Sequence, residues 1–191
     1  DELPVLERIV YVHEYVHALQ DQHFGLEDLM ADAENLESDQ ALAMLSLVEG
    51  DATLAMQFYT QQLLQDDPSA AAEFLESSNA VEDIPEGTPP ILEAELTMPY
   101  LNGMAFVFAL YQAGGWEAVG EAFDNPPVST EQILHPIAYI NGELPLEVSV
   151  NTGDDALGDG WTLSTESTLG EFYMRQWLLL HLRNSDASRA A

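Results

Sequence analysis

Near the start of the chain, His13, Glu14 and His17 form the pattern His-Glu-x-x-His within the stretch YVHEYVHALQDQHF, residues 11–24. Histidines four apart on a helix lie one turn apart on one face. Both imidazoles can then converge on a single ion, with the intervening glutamate beside it as a base. The surrounding segment has helical apolar periodicity through Val5, Ile9, Val12, Val16 and Leu19, and the line Leu6, Val10, His13, His17 runs alongside that stripe. Both imidazoles are therefore expected to face inward. A pair of core histidines bonded to neighbours would also fit the spacing, but unpaired imidazoles on a buried face need the partner that a metal supplies.

Zinc held by two histidines requires a third protein ligand and keeps a fourth position for water. One candidate is His23, because HEYVHALQDQH has the spacing of the metzincin motif HExxHxxGxxH. The glycine that turns the chain in that motif is Gln20 here, which resists positive φ. If the helix runs on, His23 points to another face. The other candidate is Glu49, in the segment ALAMLSLVEGDATLAM. A carboxylate buried in so apolar a helix is costly unless something positive meets it, and a divalent cation would. A wet strip on an acidic protein is the plainer account of Glu49 and Asp51. Gly50 weakens a helix by about 1 kcal/mol relative to alanine, so a functional or close-packing reason is expected for it. Asp51 is then an acceptor for an imidazole N–H, which would fix the tautomer of a ligand histidine.

His13-Glu14-Tyr15-Val16-His17, followed by Glu49-Gly50-Asp51-Ala52 on a second helix, resembles the gluzincin branch of the zincin metallopeptidases. Over longer patches, HEYVHALQDQHF, LVEGDAT and STEQILHP resemble a poorly characterised group of bacterial and archaeal HExxH proteins. The resemblance implies a zinc peptidase with His13, His17 and Glu49 as metal ligands. Glu14 would be the general base that deprotonates a water acidified by the ion and later returns the proton to the leaving amine. A further donor is needed for the developing oxyanion, and His135 in STEQILHP and Tyr100 in MPYLNG are the candidates. For His135, a histidine interacting with a helix C-terminus is an equal alternative; for Tyr100, a place in the core is the favoured reading. His181 in WLLLHL reads as a core histidine. Two other readings are a zincin-like module that binds metal without turnover, and a metal-dependent hydrolase of another bond.

The chain has 191 residues, of which 47% are hydrophobic, enough for a core in one domain. It carries 34 acidic residues against four basic ones, Arg8, Arg175, Arg183 and Arg189, for a formal net charge of −30. Nothing here could neutralise phosphates, which excludes nucleic acid as a partner, and anionic membrane surfaces would repel the chain. The absence of lysine suits a halophilic protein, whose carboxylates stay solvated and screened in concentrated salt. Cysteine is absent, so there is no disulfide, thiolate metal site or cysteine nucleophile. No apolar run reaches transmembrane length. With no signal peptide or initiator methionine, and a motif at residue 13, the chain reads as a piece of a longer protein. An extracellular or cell-surface location is expected from the peptidase reading alone.

The expected architecture is mainly α, a zincin-like helical domain with little β-structure. Helices are predicted over residues 4–23, 39–65, 70–77, 93–113, 116–123 and 168–182, with Gly25 and Gly114-Gly115 as stops. Residues 26–37 read as a connection and 81–90 as an exposed loop. The helix over 93–113, apolar nearly all round, is expected to be the buried centre. Ser129 with Gln132, and Thr168 with Glu171, suit capping boxes. Residues 146–150 alternate as a strand would, and NTGDDALGDGW after them lacks the ligand order of a calcium loop and reads as a turn. Thermolysin-like enzymes place a sheet ahead of the HExxH helix, and only twelve residues precede His13 here.

Overall fold

The computed structural model describes residues 3–33, 38–77, 85, 87–146, 148, 160–162, 164 and 167–182. The expectation of a mainly helical protein is borne out. Helix α1 spans Val5–Phe24, α2 Leu26–Ala33, α3 Ser38–Asp66, α4 Pro68–Ser77, α5 Pro90–Asp124, α6 Thr130–Leu134, α7 Pro136–Ile140 and α8 Gly170–His181. Among the described residues there is no strand. Of the predicted strand, Leu146 and Val148 are described, and both are exposed and outside any regular element. Residues 151–159 of the glycine-rich turn lie outside the described residues.

Gly25 ends α1 in the left-handed conformation with φ 67°, its N–H bonding the Asp21 carbonyl, as a C-terminal glycine does. The chain then re-enters a helix at once, so residues 26–33 are α2 and not a connection. Leu26, Leu29 and Met30, one face at helical spacing, pack on the main core, and that burial is what holds the short helix. The two helices predicted around Gly114 and Gly115 meet there: both glycines leave helical φ/ψ, and Gly115, at φ 68° and ψ −161°, occupies a region open essentially to glycine alone.

The main core is built by α3 and α5, with α6 and α8 closing one end. Leu47, Phe106 and Val107 are fully buried at its centre, with Leu42, Leu110, Ile133 and Phe172 around them. Helix α5 is apolar on all sides yet only half covered. Its α3-facing side holds Met98, Gly103, Phe106 and Leu110, while Leu92, Leu96, Tyr100 and Leu101 remain exposed. The expected fully buried helix is therefore a two-faced one, because no described element packs against its outer side. Gly50 of α3 and Gly103 of α5 stand at the crossing of the two helices. A Cβ on Gly50 would overlap the Gly103 carbonyl group, and a Cβ on Gly103 would overlap the backbone of Ser46. Close packing is thus the reason for Gly50.

A separate small cluster, Val5, Ile9 and Ala70 with Met56, Tyr59, Leu63 and Phe74 against it, attaches α1 to α3 and α4. Ile9 meets the later part of α3 and Gln20 its earlier part, so the two helices run antiparallel. In the predicted inward stripe of α1, Val5 and Ile9 are buried and Val12, Val16 and Leu19 half-buried, while in the line alongside it Val10 is exposed.

The predicted caps are realised in part. Ser129 Oγ accepts from Gln132 N at 3.4 Å, but the Gln132 side chain accepts from Val128 N and donates to the Glu143 carbonyl instead of closing the box. Helix α8 starts at Gly170 without a side-chain cap, so the Thr168–Glu171 box does not form. Asp39, buried near the start of α3, takes over the tying of this end. It accepts from the backbone N–H and hydroxyl of Thr130, and Thr130 Oγ1 in turn accepts from Phe172 N at 3.1 Å. His181 is exposed, its ring tilted against that of Trp177, contrary to the core position expected for it, because α8 buries only its first turns through Phe172.

Candidate metal centre

Antiparallel packing of α1 on α3 brings His13, His17 and Glu49 together. His13 Nε2 lies 3.0 Å from His17 Nε2 and 3.1 Å from Glu49 Oε2, and His17 Nε2 lies 3.5 Å from the same oxygen. Bonds of about 2.0–2.1 Å at tetrahedral angles place neighbouring zinc donors roughly 3.3–3.4 Å apart. The edges of the observed triangle, 3.0, 3.1 and 3.5 Å, lie within a few tenths of an ångström of that spacing. Among the described residues, this is the group of histidine, aspartate and glutamate side chains with metal-binding geometry. The three side chains are partly buried, between the exposed face of α1 and the core.

Hydrogen bonding fixes which nitrogen of His17 faces the triangle. Gln20 Nε2 donates to the Val48 carbonyl at 3.0 Å and to Asp51 Oδ2 at 2.8 Å. Its Oε1 therefore faces His17 Nδ1, 2.8 Å away, and that nitrogen must be the donor. Neutral His17 thus turns a lone pair on Nε2 toward His13 and Glu49. Two imidazole nitrogens and a carboxylate oxygen at such distances repel one another unless a proton or a cation sits among them. The protonation behaviour reflects this. The bond to Glu49 pushes the His17 pKa up, against the opposing effect of burial. Burial raises the Glu49 carboxyl, but hydrogen bonds and charge from His17 and His13 outweigh it and leave it below its ordinary range.

Gln20 is the residue that sequence reading missed. Asp51 was expected to accept directly from an imidazole, and it reaches His17 only through the Gln20 amide. The spacing of three from His17, which places two helical residues side by side, was the available signal. If the triangle takes zinc, Gln20→Leu is expected to weaken its binding about 10- to 100-fold, the usual effect of removing a group that orients a ligand histidine. Competition with a chromophoric chelator measures it, and unchanged affinity would refute the role.

Burial pushes the Asp51 carboxyl above its ordinary 3.8, only partly offset by Gln20 and His17. The folded protein therefore binds a proton more tightly than the unfolded chain, and stability falls as pH rises from the ordinary carboxylate range through the raised folded value. Asp51→Asn keeps an acceptor for Gln20 and removes the buried charge. It is expected to raise the melting temperature of the metal-free protein at neutral pH, with the gain shrinking below pH ~4. Thermal unfolding at two pH values tests the sign.

The other predicted site residues fall into two groups. Glu14 is exposed on α1, and its charge acts on both His17 and Tyr100. The Tyr100 ring centroid is 6.2 Å from that of His13. Burial, then the charges of Glu49 and Glu14, push its hydroxyl pKa up, so Tyr100 stays a hydrogen-bond donor. His135 does not join them. At the end of α6, its Nε2 sits 2.9 Å from Glu171 Oε1 of α8, and the carboxylate holds it there. His23 also stays apart: α1 runs unbroken through Gln20, and His23 Nδ1 bonds the Leu19 carbonyl at 2.9 Å. His13 Nδ1 and Thr53 Oγ1 are buried without a hydrogen-bond partner among the described residues.

Comparison with known proteins finds no matching family model, no similar curated protein and no similar solved structure. The functional reading rests on these side chains alone.

Proposed function

We propose that the protein is a zinc-dependent hydrolase of peptide bonds of the gluzincin type, with His13, His17 and Glu49 holding the ion. The observation that carries this reading is the triangle of donor atoms at 3.0, 3.1 and 3.5 Å, with a tautomer of His17 that offers its lone pair inward. When bound, zinc supplies a Lewis acid that acidifies water and polarises a carbonyl. Glu14, on the turn between the two histidines, accepts the proton of the attacking water at its carboxylate and delivers it to the departing amine nitrogen. The Tyr100 hydroxyl donates to the oxygen that gains charge as the carbonyl becomes tetrahedral. The Gln20 amide holds the His17 ring in place throughout.

Zinc-loaded protein is expected to cleave an unstructured protein in concentrated salt, and anomalous scattering at the zinc edge should place the ion within the triangle. Tyr100→Phe is expected to lower kcat about 100-fold while leaving KM nearly unchanged, as loss of one oxyanion donor does. An unaltered kcat would remove Tyr100 from the reaction.

A second reading has one observation in its favour. No strand lies beside α1 among the described residues, and strand addition is how many peptidases grip a substrate backbone. The protein would then be a metal-holding module without turnover. Bound zinc with no cleavage of any peptide pool would select it.

A further inference from the structure

We infer that the uncovered side of α5 is the substrate-binding surface of this centre, and that it takes an extended polypeptide segment with a bulky aliphatic side chain next to the cleaved bond. The inference rests on the proposed peptidase reading for its direction, and on three adjoining hollows for its content. The first, about 490 Å³, is walled by Leu42, Leu45, Leu92, Glu95, Leu96 and Pro99 and reaches Tyr100 and Glu49, so one member of the triad lines it. A second, about 370 Å³, continues from it through the shared Leu42, Leu45 and Glu95 to Tyr173. The third, about 480 Å³, runs on from Tyr173 over Ile91, Met174, Trp177 and Leu180 and is almost wholly apolar. A larger cavity of about 680 Å³, near Leu110, Asn125 and Tyr139, includes none of the triad.

The furrow therefore follows α5 from Tyr100 back to Ile91. Nine helical residues rise about 14 Å, which is the length of roughly four residues of extended chain. Its volume beside the triad suits a leucine or larger side chain, and the walls around such a group are apolar apart from Glu95. Glu95 is the polar feature of the floor, accepting from the Tyr173 hydroxyl at 2.9 Å. A polypeptide can present N–H groups or a cationic side chain to that carboxylate, which an acyl chain cannot do. The net charge of −30 works in the same direction by repelling acidic segments.

The test is equilibrium binding of two blocked peptides to the zinc-loaded Glu14→Gln protein in concentrated salt, followed by fluorescence of an attached label. The peptides are identical except for leucine or aspartate at one central position. The leucine peptide is expected to bind at least about 10-fold more tightly, within the range a hydrophobic pocket discriminates. Leu96→Asp, on a side chain 65% exposed and so harmless to the fold, is expected to abolish the preference. Equal binding of both peptides, or a preference that survives in Leu96→Asp, would overturn the inference. So would a medium-chain fatty acid that displaces the leucine peptide at lower concentration than the unlabelled peptide does. If the preference holds and the zinc-loaded protein cleaves neither peptide, the peptidase reading fails while the furrow stands.

Discussion

On the proposed peptidase reading, Glu14→Gln is expected to lower peptide hydrolysis by the zinc-loaded protein about 100- to 10,000-fold, the range a positioned general base contributes. Zinc affinity should change little. Glutamine has nearly the shape of glutamate and leaves His13, His17 and Glu49 in place, but its amide oxygen cannot take a proton from water at neutral pH. Glu14 is exposed on α1, so the replacement carries no packing penalty, and a loss of activity could not be blamed on unfolding. The measurement is kcat/KM beside the zinc content of the same preparation. Full activity in a zinc-replete Glu14→Gln protein would end the assignment of the base.

Gly103→Ala is expected to destabilise the fold by about 3 kcal/mol or more, at the upper end of the cost of overfilling a packed core. Alanine would ordinarily strengthen a helix interior by about 1 kcal/mol. Here its methyl group would meet the main chain of Ser46, which cannot rotate away as a side chain could. The helices must separate, and every contact along the α3–α5 seam suffers. Gly50→Ala should behave alike, since its methyl group would meet the Gly103 carbonyl. Urea unfolding, compared through the midpoint at constant slope, measures both. A change below 1 kcal/mol for either would show that the crossing has slack.

Much of this was legible in the chain. The histidine pair and Glu49 stood out because their settings are apolar, and an ionisable group in such a setting needs a reason. The break at Gly114-Gly115 and the stop at Gly25 followed from the conformations only glycine takes. What escaped depends on which surfaces meet. Burial of α2 is decided by the core under it, although Leu26, Leu29 and Met30 carry helical spacing. His181 and the outer side of α5 are exposed because nothing described covers them, a fact no local pattern encodes. Of the two readings of His135 its place at the end of α6 fits the helix-end one, and its bond to Glu171, 36 residues later, is a contact that no local pattern encodes. Gln20 stands in the sequence where a metzincin has glycine, and nothing local shows that its amide links two helices.

The split between the two apolar clusters has a mechanical consequence. The first helix shares few side chains with the principal core and is fastened through Val5, Ile9, the Gln20 amide and the three donor atoms. An ion gripped from both sides would act as a rivet. Its removal should let the opening segment peel away while the remaining bundle stays folded, so that amide hydrogens of residues 5–24 exchange first.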